Sequence, residues 1–120
     1  MATTDEKLRQ LRDIDSSVIA GAAEEVKDDW FHDEALGLEP VVPLAVTFPA
    51  DRQQVARIVE WANATATPLT ARGSGTGLAG ACIPVAGGVV VSFERMDSIV
   101  EIDEDNHVAV VQPGVTLQQL

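Results

Sequence analysis

The residues best suited to chemistry in this chain run from Arg72 to Gly80: Arg-Gly-Ser-Gly-Thr-Gly-Leu-Ala-Gly. Four glycines fall between positions 73 and 80. Glycine has no Cβ, so backbone N–H groups can turn toward a ligand and the ligand can come close. Successive N–H groups then form a nest for anionic oxygens. Ser74 and Thr76 add hydroxyl donors, and Arg72 adds a positive charge at the mouth. This donor set suits a phosphate or diphosphate. A tight connection that merely needs glycine would use one or two, not four in eight residues.

Gly75-Thr76-Gly77-Leu78-Ala79-Gly80 also spells GxGxxG, with an acid, Glu94 or Asp97, at about the distance a Rossmann nicotinamide site requires. That alternative needs a helix after the glycines, because a parallel crossover takes about a dozen residues or more. Only eight residues separate Gly80 from Val89, and they include Pro84, Gly87 and Gly88. No crossover helix fits. A Walker A loop is excluded because no Gly-Lys-Ser or Gly-Lys-Thr occurs. A third reading is a non-enzymatic acidic interaction domain whose glycines only shape a turn.

Other chemically capable residues are isolated. His32 sits among acids and His107 opens a strand, and a surface or hairpin role suits both better than catalysis. Asp103, Glu104 and Asp105 read as a solvated turn rather than a metal site. Cys82 is the one cysteine, which excludes an internal disulfide and a cysteine-based zinc site, and reads as a small buried side chain. No catalytic and no metal-ligating residue is expected.

The elements that must position the loop follow from periodicity. Residues 5–14 read as a short helix with Leu8, Leu11 and Ile14 on one side. Residues 24–34 are acidic and carry Trp30, Phe31 and His32, a loop that could pack its aromatics on the main body. Residues 44–48 read as a strand. Asp51 is an N-cap with Gln54 at N3, opening a helix over about residues 52–64 whose buried stripe is Val55, Ile58, Val59 and Ala62. Residues 68–71 form a second strand leading into the glycines. Residues 89–93 are a continuous apolar run, as in a strand covered on both faces. Residues 99–103 and 107–112 read as a hairpin. Thr116 with Gln119 signals a helix start that stops at Leu120 after barely one turn, so the chain is expected to be the front part of a longer protein. The order is α+β with a mixed sheet.

Net charge is −11, with 8 Lys plus Arg against 19 Asp plus Glu spread along the chain. Such a surface disfavours nucleic acid and anionic membranes. No apolar stretch is long enough to cross a bilayer and the first 15 residues hold no signal-peptide core, so a cytoplasmic location is expected.

The segments resemble one family when taken in order. They are the helix after Pro49, residues 68–80, Ile83-Pro84, Gly87-Gly88 with residues 89–92, Arg95-Met96, residues 99–103, and Val110-Val111-Gln112-Pro113-Gly114-Val115. Together they resemble the FAD-linked oxidases with a PCMH-type FAD-binding domain, within these the glycolate oxidase D subunit and D-lactate dehydrogenase group. The resemblance covers roughly position 40 to the end, and implies a lead-in segment at 1–39 and an incomplete FAD-binding domain at 40–120. It implies the first subdomain of a truncated α+β domain, a small mixed sheet with flanking helices. The positions matching the family's pyrophosphate loop are Ala71, Arg72, Gly73, Ser74, Gly75, Thr76 and Gly77, with Ala79 and Gly80 nearby. Some relatives attach flavin to a His in this loop. None stands between Arg72 and Gly80, so FAD is expected to bind non-covalently. The implied reaction is oxidation of a small 2-hydroxy acid, with substrate and metal residues beyond position 120 and this fragment inactive alone.

Overall fold

The computed structural model describes residues 1–23 and 28–120. Helix α1 spans Thr4–Ile14, and Thr3 caps it by accepting from the Glu6 N–H. A two-residue strand β1 (Ile19–Ala20) and a single 3₁₀ turn (Asp28–Trp30) follow. Then come β2 (Ala45–Thr47), α2 (Arg52–Thr65), β3 (Leu69–Arg72), β4 (Val89–Ser92), β5 (Ile99–Asp103) and β6 (Val108–Val111).

Helix α2 begins where its cap directs. Asp51 Oδ1 accepts from the N–H groups of Gln53 and Gln54 at 2.9 and 2.8 Å, and Gln54 reaches back to the Ala50 N–H at 2.8 Å. Those bonds satisfy donors that a helix start otherwise leaves unpaired. The helix ends at Ala66, which takes a left-handed φ of 48°. Its buried face is Ile58, Trp61 and Ala62, while Val59 of the expected stripe is exposed.

The main sheet runs β1-β2-β4-β3, with β2 and β3 both parallel to β4 and β1 antiparallel at the edge. Every residue of β4 is buried, as its continuous apolar run requires. The two faces bury different cores. Ala45 and Val89 pack with Leu11, Val18, Trp61 and Ala62, whereas Val46 and Val90 pack with Phe48 and the half-buried Trp30. Helix α1 is tied to the α2 end of that first core by Trp61 Nε1 donating to Gln10 Oε1 at 2.8 Å and by Lys7 Nζ donating to Thr67 Oγ1 at 2.9 Å.

Four features differ from the sequence expectations or complete them. Strand β1 arises in a stretch with no strand signal, because the Gly21 N–H bonds Leu44 O at 2.9 Å and draws it onto β2. The hairpin β5–β6 forms its own two-stranded sheet instead of joining the first. Thr116 opens a turn, not a helix: the Gln119 N–H bonds Thr116 O at 3.0 Å, and one turn gives too few bonds to propagate a helix. Residues 81–88 form turns, with the Gly88 N–H on Val85 O at 2.8 Å, so the helix that a Rossmann unit needs is missing. Of the acidic stretch 24–34, positions 24–27 lie outside the described residues. The rest packs as expected, with Trp30 edge-on to Phe48 at 5.2 Å.

Candidate functional site

Strands β2, β3 and β4 run the same way, so their carboxyl ends share one edge of the sheet. Open sheets with parallel strands bind ligands outside that edge. Ala71 and Arg72 close β3 there, in register with Val91 and Ser92 of β4, and the glycine loop begins at once. Gly73, Ser74, Thr76, Gly77, Leu78 and Ala79 are exposed, Gly80 is half-buried and Gly75 is buried. Ser74 and Thr76 therefore stand on the solvent side of the loop.

Arg72 departs from the sequence reading in position. Its side chain is only 6% exposed, and the guanidinium turns beneath the loop rather than standing at its mouth. Nη1 donates to the His32 carbonyl at 2.7 Å. Gly75 crosses directly above with φ +72°, and a Cβ on it would overlap Nη2 and Cζ of Arg72. Among the described residues no carboxylate pairs with this guanidinium, and its one hydrogen bond goes to a neutral carbonyl.

The segment 31–39 forms a second wall, which the sequence does not announce. The Glu34 N–H donates to Gly77 O at 2.9 Å, and Leu38 packs against Gly80, where a Cβ would come within 2.5 Å of its Cδ1. Asp33, 6% exposed, accepts from the Ala35 N–H through Oδ1 at 2.9 Å. Its Oδ2 has no hydrogen-bond partner among the described residues and lies 3.6 Å from where a Gly77 Cβ would stand. His32 contributes its carbonyl to the site, while its Nδ1 lies 3.2 Å from Asp33 O.

A cleft of about 390 Å³ opens beside the loop. Arg72, Gly73 and Ser74 line one side and Gly114, Thr116 and Gln119 the other, with Asp29, Trp30, Glu94 and Asp97 around them. Gly75, Thr76, Gly77, Ala79 and Gly80 lie past the cleft, along the segment 31–39. The far wall is fixed by the Gly114 N–H on Met96 O at 2.8 Å, a contact so close that a Cβ on Gly114 would overlap Phe93 O. Of the missed residues only Gly114 carried a local signal, in its Pro-Gly pair. The three acids of the cleft were hidden among the 19 acids of the chain.

His107 sits at φ +55° in the β5–β6 turn and Cys82 is half-buried in a turn. Asp103 holds that same hairpin turn, accepting from the backbone and side-chain nitrogens of Asn106 at 3.0 and 2.8 Å. These bonds, the side-chain one foremost, hold the Asp103 carboxyl below its ordinary value.

The donor set fits an anionic diphosphate: an exposed glycine nest, two hydroxyls, and a buried positive charge beneath them. Residues 43–120 match the family described as FAD binding domain. The chain is 46% identical, over 79% of its length and 21% of the relative's, to an uncharacterized FAD-linked oxidoreductase of Mycobacterium tuberculosis. It is 46% identical to D-2-hydroxyglutarate dehydrogenase of Stutzerimonas stutzeri over 65% of this chain and 17% of that protein. It is 43% identical to D-lactate dehydrogenase of Archaeoglobus fulgidus over 62% of this chain and 17% of that one. The chain thus spans about a fifth of the length of the relatives it matches. Its fold superposes on p-cresol methylhydroxylase with a TM-score of 0.74 at 24% identity, covering 96% of this chain and 23% of that one. On the match over residues 43–120, the chain belongs to the family described as FAD binding domain.

Proposed function

We propose that this chain is the diphosphate-holding part of an FAD-dependent enzyme that oxidises a small 2-hydroxy acid of the glycolate or D-lactate type. The observation that carries the FAD assignment is the Arg72 guanidinium, buried under the glycine nest with a neutral carbonyl as its hydrogen-bond partner. A buried charge is expensive without a counter-charge. The anion held by the nest supplies it.

In this reading Ala71 and Arg72 end the strand that aims the loop, and Gly73, Ser74, Gly75, Thr76 and Gly77 surround the diphosphate with N–H and O–H donors. Ala79 and Gly80 close the loop against Leu38. Attachment is non-covalent, since no His stands between Arg72 and Gly80. When bound, FAD supplies the two-electron acceptor. This chain's own residues bind and orient it, and the groups that contact the substrate belong to portions of the relatives that this chain does not span, so the chain alone is inactive. Residues 1–39 act as a lead-in segment docked on the FAD-binding unit of 40–120.

The hydroxy-acid assignment is supported by the names of two relatives, D-2-hydroxyglutarate dehydrogenase and D-lactate dehydrogenase. No described helix is long and apolar enough to cross a membrane, which accords with a cytoplasmic location. The test is anaerobic mixing of the full-length, flavin-loaded protein with glycolate, D-lactate and D-2-hydroxyglutarate in turn. At least one should bleach the flavin absorbance. Bleaching by none would overturn the substrate class.

A further inference from the structure

We infer that Asp33 is a positioning residue for the glycine loop: when the loop holds a diphosphate, Asp33 Oδ2 accepts a hydrogen bond from Thr76 or Gly77 and fixes the curve of the loop. This rests on the assignment of the loop to a diphosphate.

The wall meets the loop at successive residues. His32 O accepts from Arg72 Nη1 at 2.7 Å, and the Glu34 N–H donates to Gly77 O at 2.9 Å. Asp33 stands between them in sequence, with its side chain turned to Gly77. The carboxyl is 6% exposed and satisfied at one end only. Oδ1 accepts from the Ala35 N–H at 2.9 Å, the bond of an Asx turn, which fixes the side chain. Oδ2 has no partner among the described residues. No side chain screens it from the loop, and even a Cβ on Gly77 would stand 3.6 Å away.

A buried carboxylate oxygen without a donor is costly, and such groups are rare in folded proteins. Asp33 cannot turn Oδ2 out to water without giving up the Ala35 N–H. A donor has to come to it.

Chemistry limits what that donor is. The oxygens of an ionised diphosphate only accept, so the anion itself cannot bond a carboxylate. The donor is then a protein group that shifts when the anion arrives. Gly77 O already faces the Glu34 N–H, and across a trans peptide the Leu78 N–H points the opposite way, away from the wall. The loop donors left nearest in sequence are the Gly77 N–H and the Thr76 hydroxyl, both in an exposed stretch outside any helix or strand. A bond from either to Oδ2 leaves the other donors of the loop facing the anion. The filled loop then holds a bond that the empty loop lacks, and only such a difference between two states adds to affinity.

The test titrates the flavin-free full-length protein and its Asp33→Asn variant with FAD and with ADP. Asparagine keeps the oxygen that holds Ala35 and puts an NH2 donor in place of Oδ2. FAD and ADP should both bind about 10- to 100-fold more weakly, the effect of losing one hydrogen bond to a charged group. The thermal midpoint of the flavin-free variant should stay level or rise, because an unsatisfied buried acceptor is gone. A lowered midpoint would give Asp33 a structural role only. Weaker binding of FAD alone would make Asp33 a direct contact to the flavin half, tighter binding of both would make it a mere repulsive charge, and unchanged binding would leave it no part in the site. Each of these results overturns the inference while the loop assignment stands. If the variant does not fold, hydrogen exchange on the unmodified protein decides. ADP should slow exchange in residues 33–36 together with 73–80, and slowing confined to 73–80 would overturn the inference. Unmodified protein that binds neither FAD nor ADP would sink the loop assignment, and this inference with it.

Discussion

The guanidinium of Arg72 lies directly beneath Gly75, so close that a Cβ at Gly75 would occupy its space. The bend of the loop is thereby fixed twice, by the left-handed φ of +72° and by the side chain below it. Arg72 in turn holds the His32 carbonyl, so a single side chain joins the loop to the segment that walls it.

Replacing Gly75 with alanine should therefore strip FAD from the full-length protein. The left-handed conformation alone costs a residue with a Cβ about 1–2 kcal/mol, and the collision with Arg72 adds to it. Gly77→Ala is the contrast. Its Cβ would meet Asp33 Oδ2 at an ordinary 3.6 Å and its φ is not positive. The ratio of flavin to protein absorbance should fall sharply for Gly75→Ala and less for Gly77→Ala, whose backbone is not strained by a Cβ.

Arg72→Lys should not rescue the site. A lysine ammonium cannot reproduce the planar fork that bonds His32 O while filling the space under Gly75. Loss of a charge-assisted bond of about 1.5–3 kcal/mol corresponds to a roughly 10- to 100-fold weaker FAD dissociation constant, readable by fluorescence titration. An unchanged constant would mean that the positive charge alone, and not the fork on His32 O, supports FAD.

Asp15 should matter for stability and not for flavin. It is 1% exposed, accepts from the Phe48 N–H at 2.7 Å and the Ser17 N–H at 2.9 Å, and also from the Ser17 hydroxyl. Arg95 joins the cluster by donating to Phe48 O at 2.9 Å. Asp15→Ala leaves the Phe48 N–H buried without its acceptor, at a cost of about 1–3 kcal/mol. Thermal unfolding should shift down by several degrees, with the FAD dissociation constant nearly unmoved.

The Asp103 carboxyl should titrate low. Asn106 bonds its charged form, so its folded value lies below the unfolded one. The turn's stabilisation is then fully present above about pH 4 and is lost as pH falls through the lowered folded value. Carbon-detected NMR titration should show Asp103 moving up toward an ordinary aspartate in Asn106→Ala. No movement would mean that the hydrogen bonds do not hold the charge.

Helix α2 and strands β2 to β4 are legible in the sequence because each carries its own local signal: the Asp51 cap, the helical stripe, the apolar run at 89–93. The glycine loop is legible for the same reason. Strand β1 is not, since two residues pair with β2 only through tertiary hydrogen bonds. Nor is the wall of the site at 31–39, whose contacts with Arg72, Gly77 and Gly80 span some 40 positions. The depth of Arg72 is hidden as well, because residue type gives its charge but not the side of the loop it takes. The Thr116 and Gln119 pair spells a helix start, and without propagation it closes a single turn, with the Gln119 N–H on Thr116 O and Gln119 Oε1 accepting from Thr116.

The central claim, that the loop at 73–77 cradles the diphosphate of FAD above the Arg72 guanidinium, is tested most directly by a crystal structure of the full-length protein with FAD bound. The expected result is diphosphate oxygens accepting loop N–H groups at about 2.7–3.2 Å, with Arg72 still beneath Gly75. A diphosphate seated away from this loop, or a protein that takes up no FAD, would contradict it.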